Sequence, residues 1–294
     1  MTADSLVYLG NFAINGLIEG LLISLPALAL TLVMGIARFV NVGTGDYMTL
    51  SAYTTVGVQQ LLATSATYAA FGALAAGVLV SLFFYATVFR PLRGRSFVMC
   101  MIASIGVAFL IRSVLTFFAG HDQHVIQVPL VRAWNFGGLR LLPTDIAVAA
   151  VAISALLALF AVLHLTSIGR QMRAVADNPD LARASGIRSR QIMVILWIIV
   201  GLLSGLGGVL FGIKAVVMPE LGWLIIIPAI TAMILGGAGS PIGAVIGAMI
   251  LGVVQELSVP FIGSSYKLVV PVIILLIVLL VRPRGLFGTY SGVR

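Results

Sequence analysis

The sequence predicts an all-α fold: a polytopic membrane helix bundle of about 8–9 transmembrane helices, some of them short and broken, with one long hydrophilic loop on the cytoplasmic side. Three observations predict it. Hydrophobic residues make up 61% of the 294 and charged residues 9%, with mean hydropathy +1.16. A soluble domain reaches such values only by covering its surface with apolar groups. Stretches without charge run over residues 20–37, 47–89, 96–111, 146–169, 191–213, 221–255 and 268–281. A spanning helix needs roughly 20 apolar residues, so the two longest stretches hold two passes each. Runs of Leu, Ala, Gly and Ile prevail over the period-two alternation that an outer-membrane barrel would show. A single transmembrane domain over residues 1–294 is expected, with the loop 166–190 inside it.

Charge placement sets the orientation. The net charge is +8, a value that suggests nucleic acid until its distribution is followed. Arg38, Arg90, Arg93, Arg95, the five arginines of the central loop, Arg282, Arg284 and Arg294 fall at every second membrane exit. The intervening exits carry Arg132, Arg140, Lys214 and Lys267. That asymmetry is what positive-inside insertion produces, so the partner implied is a lipid bilayer and no nucleic acid is expected. The central loop and the C-terminus are then cytoplasmic. The N-terminus, with no Lys or Arg before Arg38, faces outward, and Asp4 stands where a cleavable signal would be basic. Cys100 is alone in an apolar run and reads as a small core residue.

Taken in order, a first span covers Gly10 to Ala37, with Pro26 kinking it rather than ending it. Glu19 lies inside, and an acid at that depth sits either at the outer interface or against protein or water. Then comes Asn41-Val42-Gly43-Thr44-Gly45-Asp46. Its glycines and polar side chains leave backbone groups that membrane lipid cannot satisfy, which is tolerated against protein or a water-filled cavity. One reading is a pathway-lining turn made by Asn41, Gly43, Thr44, Gly45 and Asp46. The other is an ordinary turn capped by Asp46. Either way the second helix starts close to this turn.

The third helix should end at Phe89, and a fourth span runs from Ser96 to about Phe118 with Arg112 snorkelling outward. His121 to Leu142 is an outer segment. His121 and His124 lack a third ligand nearby, so no metal site is expected. The fifth span covers Thr144 to Thr166 and the sixth Gln191 to Ile213. Small residues four apart in the sixth, among them Gly201 with Gly205, Ser204 with Gly208 and Gly208 with Gly212, predict close packing on other helices. Residues Trp223 to Leu257 form two short apolar halves around Gly236-Gly237-Ala238-Gly239-Ser240-Pro241-Ile242-Gly243. Glycine-broken segments in corresponding places point to a transport site, so Gly237, Gly239 and Ser240 join the candidate substrate pathway. A last span runs from Leu268 to Val281.

The central loop has legible chemistry. Pro179 cannot continue a helix that begins near Ile168, so one short helix stops at Asp177 or Asn178. Asn178 caps a second, Pro179 takes its first position, Asp180 sits at its positive end, and Gly186 closes it. On its residues alone the loop is either a solvated, topology-setting segment or a docking surface.

Several chemistries are missing. A motor needs Gly-x-x-x-x-Gly-Lys followed by Ser or Thr, and neither Lys214 nor Lys267 follows a glycine. His-Glu-x-x-His and Gly-x-Ser-x-Gly do not occur, so no catalytic residues are expected. Glu19, Asp46, Asp145 and Glu256 keep open a self-sufficient secondary transporter or channel.

Asn41-Val42-Gly43-Thr44-Gly45-Asp46-Tyr47-Met48-Thr49-Leu50-Ser51-Ala52-Tyr53 resembles the early signature of the H-type permease subunit of bacterial branched-chain amino acid ABC transporters. Gly169 to Ala174, Asp177-Asn178, Ala182 and Gly186-Ile187 resemble that family's cytoplasmic coupling segment. Leu235 to Gly243 and Val281 to Gly288 look like its two C-terminal signatures. Four motifs in the family's order span residues 10 to 288. A departure is Thr44, where many relatives carry a residue such as His.

The resemblance implies a bacterial inner-membrane importer subunit, not an enzyme, paired with a second permease of M type. Two cytoplasmic ATPase subunits would hold ATP and Mg, no cofactor would bind this chain, and a periplasmic binding protein would deliver substrate. It also implies that the central loop is a coupling-helix loop, with Gly169, Arg170, Arg173, Ala176, Asn178, Pro179, Ala182 and Gly186 in ATPase coupling. The expected solute is a branched-chain or related hydrophobic amino acid, with urea, short amides and aromatic acids as the alternatives within the wider family.

Overall fold

The uncharged stretches become helices close to the boundaries that composition predicts. The computed structural model describes residues 3–129, 131–136, 138–282 and 284–288. The helices are α1 (Ala3–Ala37), α2 (Thr44–Leu62), α3 (Ala66–Phe84), α4 (Phe97–Ala119), α5 (Pro143–Leu165), α6 (Ser167–Asp177), α7 (Pro179–Ala184), α8 (Ser189–Lys214), α9 (Leu221–Gly236), α10 (Pro241–Ile262) and α11 (Val269–Val281). Among the described residues six are long and apolar enough to cross a membrane: α1, α3 with its extension to Phe89, α4, α5, α8 and α10. α9 and α11 are shorter apolar helices, and α2 carries Asp46, Gln59 and Gln60 on 19 residues. The fold is an all-α polytopic membrane bundle.

Three features depart from expectation. α10 is 22 residues long, so the stretch after the glycine turn is a full span rather than a short half. α3 ends in a π-turn over Tyr85–Phe89, a wider coil that brings Tyr85 and Phe89 onto Trp197 at ring-centroid distances of 5.6 and 4.6 Å. The outer segment contains a hairpin of β1 (Trp134–Phe136) and β2 (Leu139–Leu141).

The chain divides into two compact units. One comprises Ala29–Val128 and Ser154–Trp223. Its centre is the mutual packing of α2, α3 and α8, and glycine makes that packing close. A Cβ on Gly208 would lie 2.1 Å from the Met48 carbonyl oxygen, and one on Gly201 would lie 2.7 Å from that of Gly77. The small-residue stripe of α8 therefore does pack on neighbouring helices, where dispersion at short range replaces the hydrophobic drive that lipid removes.

The other unit comprises the chain up to Leu28, Pro129–Ile153 and Leu224 onward. Here α1 and α10 cross on glycines: a Cβ at Gly252 would lie 2.4 Å from the Gly20 amide nitrogen. Thr231 on α9 donates its hydroxyl to the Pro271 carbonyl of α11 at 3.3 Å, and α10 packs on α11.

Candidate functional site

α1 ends where Arg38 turns the backbone into positive φ, +62°. The residues that follow are pinned by one hydroxyl of α4: Ser104 Oγ donates to the Val40 carbonyl at 3.3 Å and accepts from the Val42 amide at 3.1 Å. Asn41 and Thr44 are fully buried, and the Thr44 hydroxyl finds no hydrogen-bond partner among the described residues. Non-helical backbone here is enclosed by protein, which is the surrounding that the sequence reading asked of it. α2 then starts at Thr44 and carries Asp46 in its first turn.

Asp46 does not face water. Its carboxylate is 1% exposed, and Arg112 of α4 holds it through Nε to Oδ1 at 3.2 Å and Nη2 to Oδ1 and Oδ2 at 3.1 and 3.3 Å. The guanidinium lies 4.9 Å from the Trp223 ring centroid and 5.5 Å from that of Phe109, so it is paired in its plane and covered by aromatic rings. The expectation that Arg112 snorkels outward is corrected: a buried carboxylate offers it a stronger partner than the headgroup layer.

Beside this pair α2 meets the start of α9 at contact distance. A Cβ on Gly222 would lie 1.9 Å from the Gly45 carbonyl oxygen, and the Gly222 amide donates to Thr49 Oγ1 at 2.8 Å. One turn and one helix start thus gather Asn41, Gly43, Thr44, Gly45 and Asp46.

Gly237, Gly239 and Ser240 lie in the other unit, in the turn between α9 and α10. Gly237 and Gly239 take φ of +105° and +91°, and Ser240 caps α10 by accepting from the Gly243 amide at 3.2 Å. The stretch Arg284 to Gly288 lies against this turn, since the Leu286 and Phe287 amides donate to the carbonyls of Leu235 and Gly236 at 2.8 and 3.0 Å. The two C-terminal motifs, nearly fifty residues apart in the chain, form one backbone arrangement. Pro283 lies outside the described residues.

The central loop folds as its residues predict. α6 stops at Asp177, and the Asn178 side-chain oxygen accepts from the amides of Asp180 and Leu181, each at 3.0 Å. Gly186 closes the turn at φ +81°. Met172, Val175 and Ala182 are buried, whereas Leu181 is 65% exposed. The loop is anchored rather than loose. Arg173 donates to the Leu163 carbonyl at the end of α5, Arg38 donates to the Ala176 carbonyl at 3.3 Å, and Gly169 sits so close to Leu163 that a Cβ would lie 2.0 Å from its oxygen. Arg170 and Arg183 remain exposed, with Arg183 paired to Asp180. Leu181 was not among the sequence candidates, because a single leucine in a polar loop gives no periodic signal.

A third cluster also escaped the sequence. Lys267, in the α10–α11 connection, bonds the carboxylates of Glu19 on α1 and Glu256 on α10, the latter at 2.6 Å. Glu19 thus faces protein. Among the described residues no three His, Cys, Asp or Glu side chains gather as a metal site.

The sequence that folds in this way has known relatives. The family described as branched-chain amino acid transport system, permease component, matches residues 12–279. The high-affinity branched-chain amino acid transport system permease protein BraD of Pseudomonas aeruginosa is 30% identical over 94% of both chains. The LivH permease of Escherichia coli is 27% identical over 97% of both, and the probable LivH of Methanocaldococcus jannaschii is 28% identical over 91% of this chain and 89% of its own. Among solved structures, PsaBC from Streptococcus pneumoniae in complex with Fab covers 92% of this chain and 91% of its own, at 16% identity and a TM-score of 0.48. With nearly its whole length matched, the chain belongs to the family of branched-chain amino acid transport permease components.

Proposed function

We propose that this chain is one permease subunit of an ATP-driven importer of branched-chain or related hydrophobic amino acids, resident in a bacterial inner membrane. Its partners are a second permease of M type, two cytoplasmic ATPase subunits and a periplasmic binding protein. Residues 166–190 and the C-terminus face the cytoplasm in this reading. The observation that carries it is the anchored α6–α7 loop, which combines a buried apolar face with exposed Leu181, Arg170 and Arg183. A loop that only set topology would not need Arg38 and Arg173 to tie it to the ends of two spans.

The mechanism follows from unequal binding. ATP draws the partner ATPases together, α6 and α7 move with them, and the ties to the ends of α1 and α5 pass that displacement into the bundle. ATP biases outward and inward states to the extent that it binds them differently. A self-sufficient secondary transporter would need an acid free to take up a proton. Asp46, the acid of the candidate pathway turn, is already paired with Arg112 and is not free in that sense. Uptake of leucine into proteoliposomes that contain this chain, its partner permease, the ATPases and the binding protein tests the reading. Uptake that requires ATP and the binding protein supports it. Uptake by this chain alone without ATP overturns it.

A further inference from the structure

The α1, α3, α4 and α8 ends that surround the central loop enclose a cavity of about 1500 Å³. Six arginines line it, Arg38, Arg93, Arg95, Arg183, Arg188 and Arg190, and its lining includes no Asp or Glu. Arg183 is paired with Asp180. Arg93, Arg95, Arg188 and Arg190 are exposed and make no ion pair among the described residues. Four or more guanidinium groups around one space repel one another unless an anion sits among them, and arginine cannot escape by losing its proton.

The deeper wall is apolar. Phe39, Phe89 and Trp197 line it, with Phe39 stacked on Phe89 at 5.2 Å and Phe89 on Trp197 at 4.6 Å. Trp197 lies eight residues into α8 from Ser189, up to about 12 Å along the helix axis. The interfacial layer on each side of a bilayer is roughly 5–8 Å thick. The arginines at the span ends therefore lie at headgroup level, and the aromatic wall reaches toward acyl-chain depth.

We infer that this cavity binds an anionic phospholipid, its phosphate among Arg93, Arg95, Arg188 and Arg190 and its upper acyl chain against Leu92, Phe97 and Val194, the accessible apolar lining that the buried Phe89 and Trp197 rings back. The recognised chemistry is a phosphate ester. Free phosphate shares that charge, but it has no use for an aromatic wall and would leave most of the space unfilled, since the cavity exceeds the roughly 300–1,000 Å³ that holds a drug-sized ligand. Basic pockets between membrane helices on the cytoplasmic side are suited to anionic headgroups for the same electrostatic reason.

Short-range quenching by brominated acyl chains tests the assignment. The full chain with its partner subunits, carrying Trp134→Phe and Trp223→Phe, leaves Trp197 as this chain's reporter, and a complex with Trp197→Phe as well supplies the background to subtract. Vesicles of brominated phosphatidylglycerol should quench it more than vesicles of brominated phosphatidylcholine. Arg93→Gln with Arg95→Gln, or Arg188→Gln with Arg190→Gln, should abolish that preference, each arginine weakening it roughly fivefold. These side chains are exposed, so folding is spared. Arg90→Gln, outside the lining, should leave the preference intact.

Equal quenching by both lipids overturns the proposal. So does loss of the preference in Arg90→Gln, which would mark a general charge effect. Competition by millimolar inorganic phosphate would assign the arginines to a free anion. Quenching seen only after the ATPase subunits are stripped from the complex would assign the cavity to those proteins instead. None of these outcomes bears on whether leucine uptake needs ATP, so the proposed transport function stands or falls separately.

Discussion

Arg112 grips Asp46 across two helices, with both ends of the pair withdrawn from solvent: the side chains are 15% and 1% exposed. Removing one partner from a buried pair strands the other charge, which costs about 3–5 kcal/mol. Asp46→Asn and Arg112→Gln alone should each lower the melting temperature of the purified protein, since each leaves one charge of the pair without its partner. The double variant should recover part of the loss, since two neutral amides can bond each other. A double variant no more stable than Arg112→Gln would show that the pair contributes through its charge and aromatic cover rather than through mutual neutralisation.

Gly222 and Gly57 should respond oppositely to alanine. At Gly222 the added methyl would be 1.9 Å from the Gly45 carbonyl oxygen, backbone against backbone, so α2 and α9 must separate. At Gly57 nothing lies within 4 Å, and alanine is favoured over glycine in a helix by roughly 0.5–1 kcal/mol. Folded yield on size-exclusion chromatography should therefore collapse for Gly222→Ala and hold or rise for Gly57→Ala.

Lys267 offers a pH test outside the spans. Burial alone would lower its pKa, but the Glu19 and Glu256 carboxylates raise it more, to a net value above the ordinary 10.5. A raised pKa in the folded state means that the ammonium's contribution is complete below the unfolded value and fades as pH climbs through the folded one. The stability gap between the wild type and Lys267→Met should then be flat from pH 8 to 10 and should narrow above that. Thermal melts across this range read it, and a gap that narrows already between pH 8 and 9 contradicts the assignment.

The spans were legible because bilayer thickness forces long uncharged stretches whatever the tertiary packing. The α6–α7 turn was legible because Asn178, Pro179 and Gly186 act on the backbone within a few residues of themselves. Arg112 read as a snorkelling side chain because its partner is 66 positions away in the chain, and charge placement along the sequence carries no pairing information. The Glu19–Lys267–Glu256 cluster was hidden for the same reason, its members coming from two helices and the connection between α10 and α11. The π-turn at Tyr85 and the Trp134–Leu141 hairpin were hidden differently: each rests on local hydrogen bonds that composition does not encode.

The last test separates coupling from folding at the central loop. Leu181 is exposed on a six-residue helix whose buried residue is Ala182, so Leu181→Asp removes an outward apolar contact without opening a cavity. Arg173 is different, because it donates to the Leu163 carbonyl and fixes the loop to α5. If the loop is the lever, Leu181→Asp should cut ATP-driven uptake about tenfold or more while ATP hydrolysis continues, a loss near 1.4 kcal/mol of coupling. Arg173→Glu should uncouple and also lower the melting temperature. Gly186→Val should resemble Arg173→Glu, since φ +81° strains a β-branched residue. Normal transport by Leu181→Asp would move the point of contact to another face of the loop, where Arg170 and Arg183 are the remaining exposed groups.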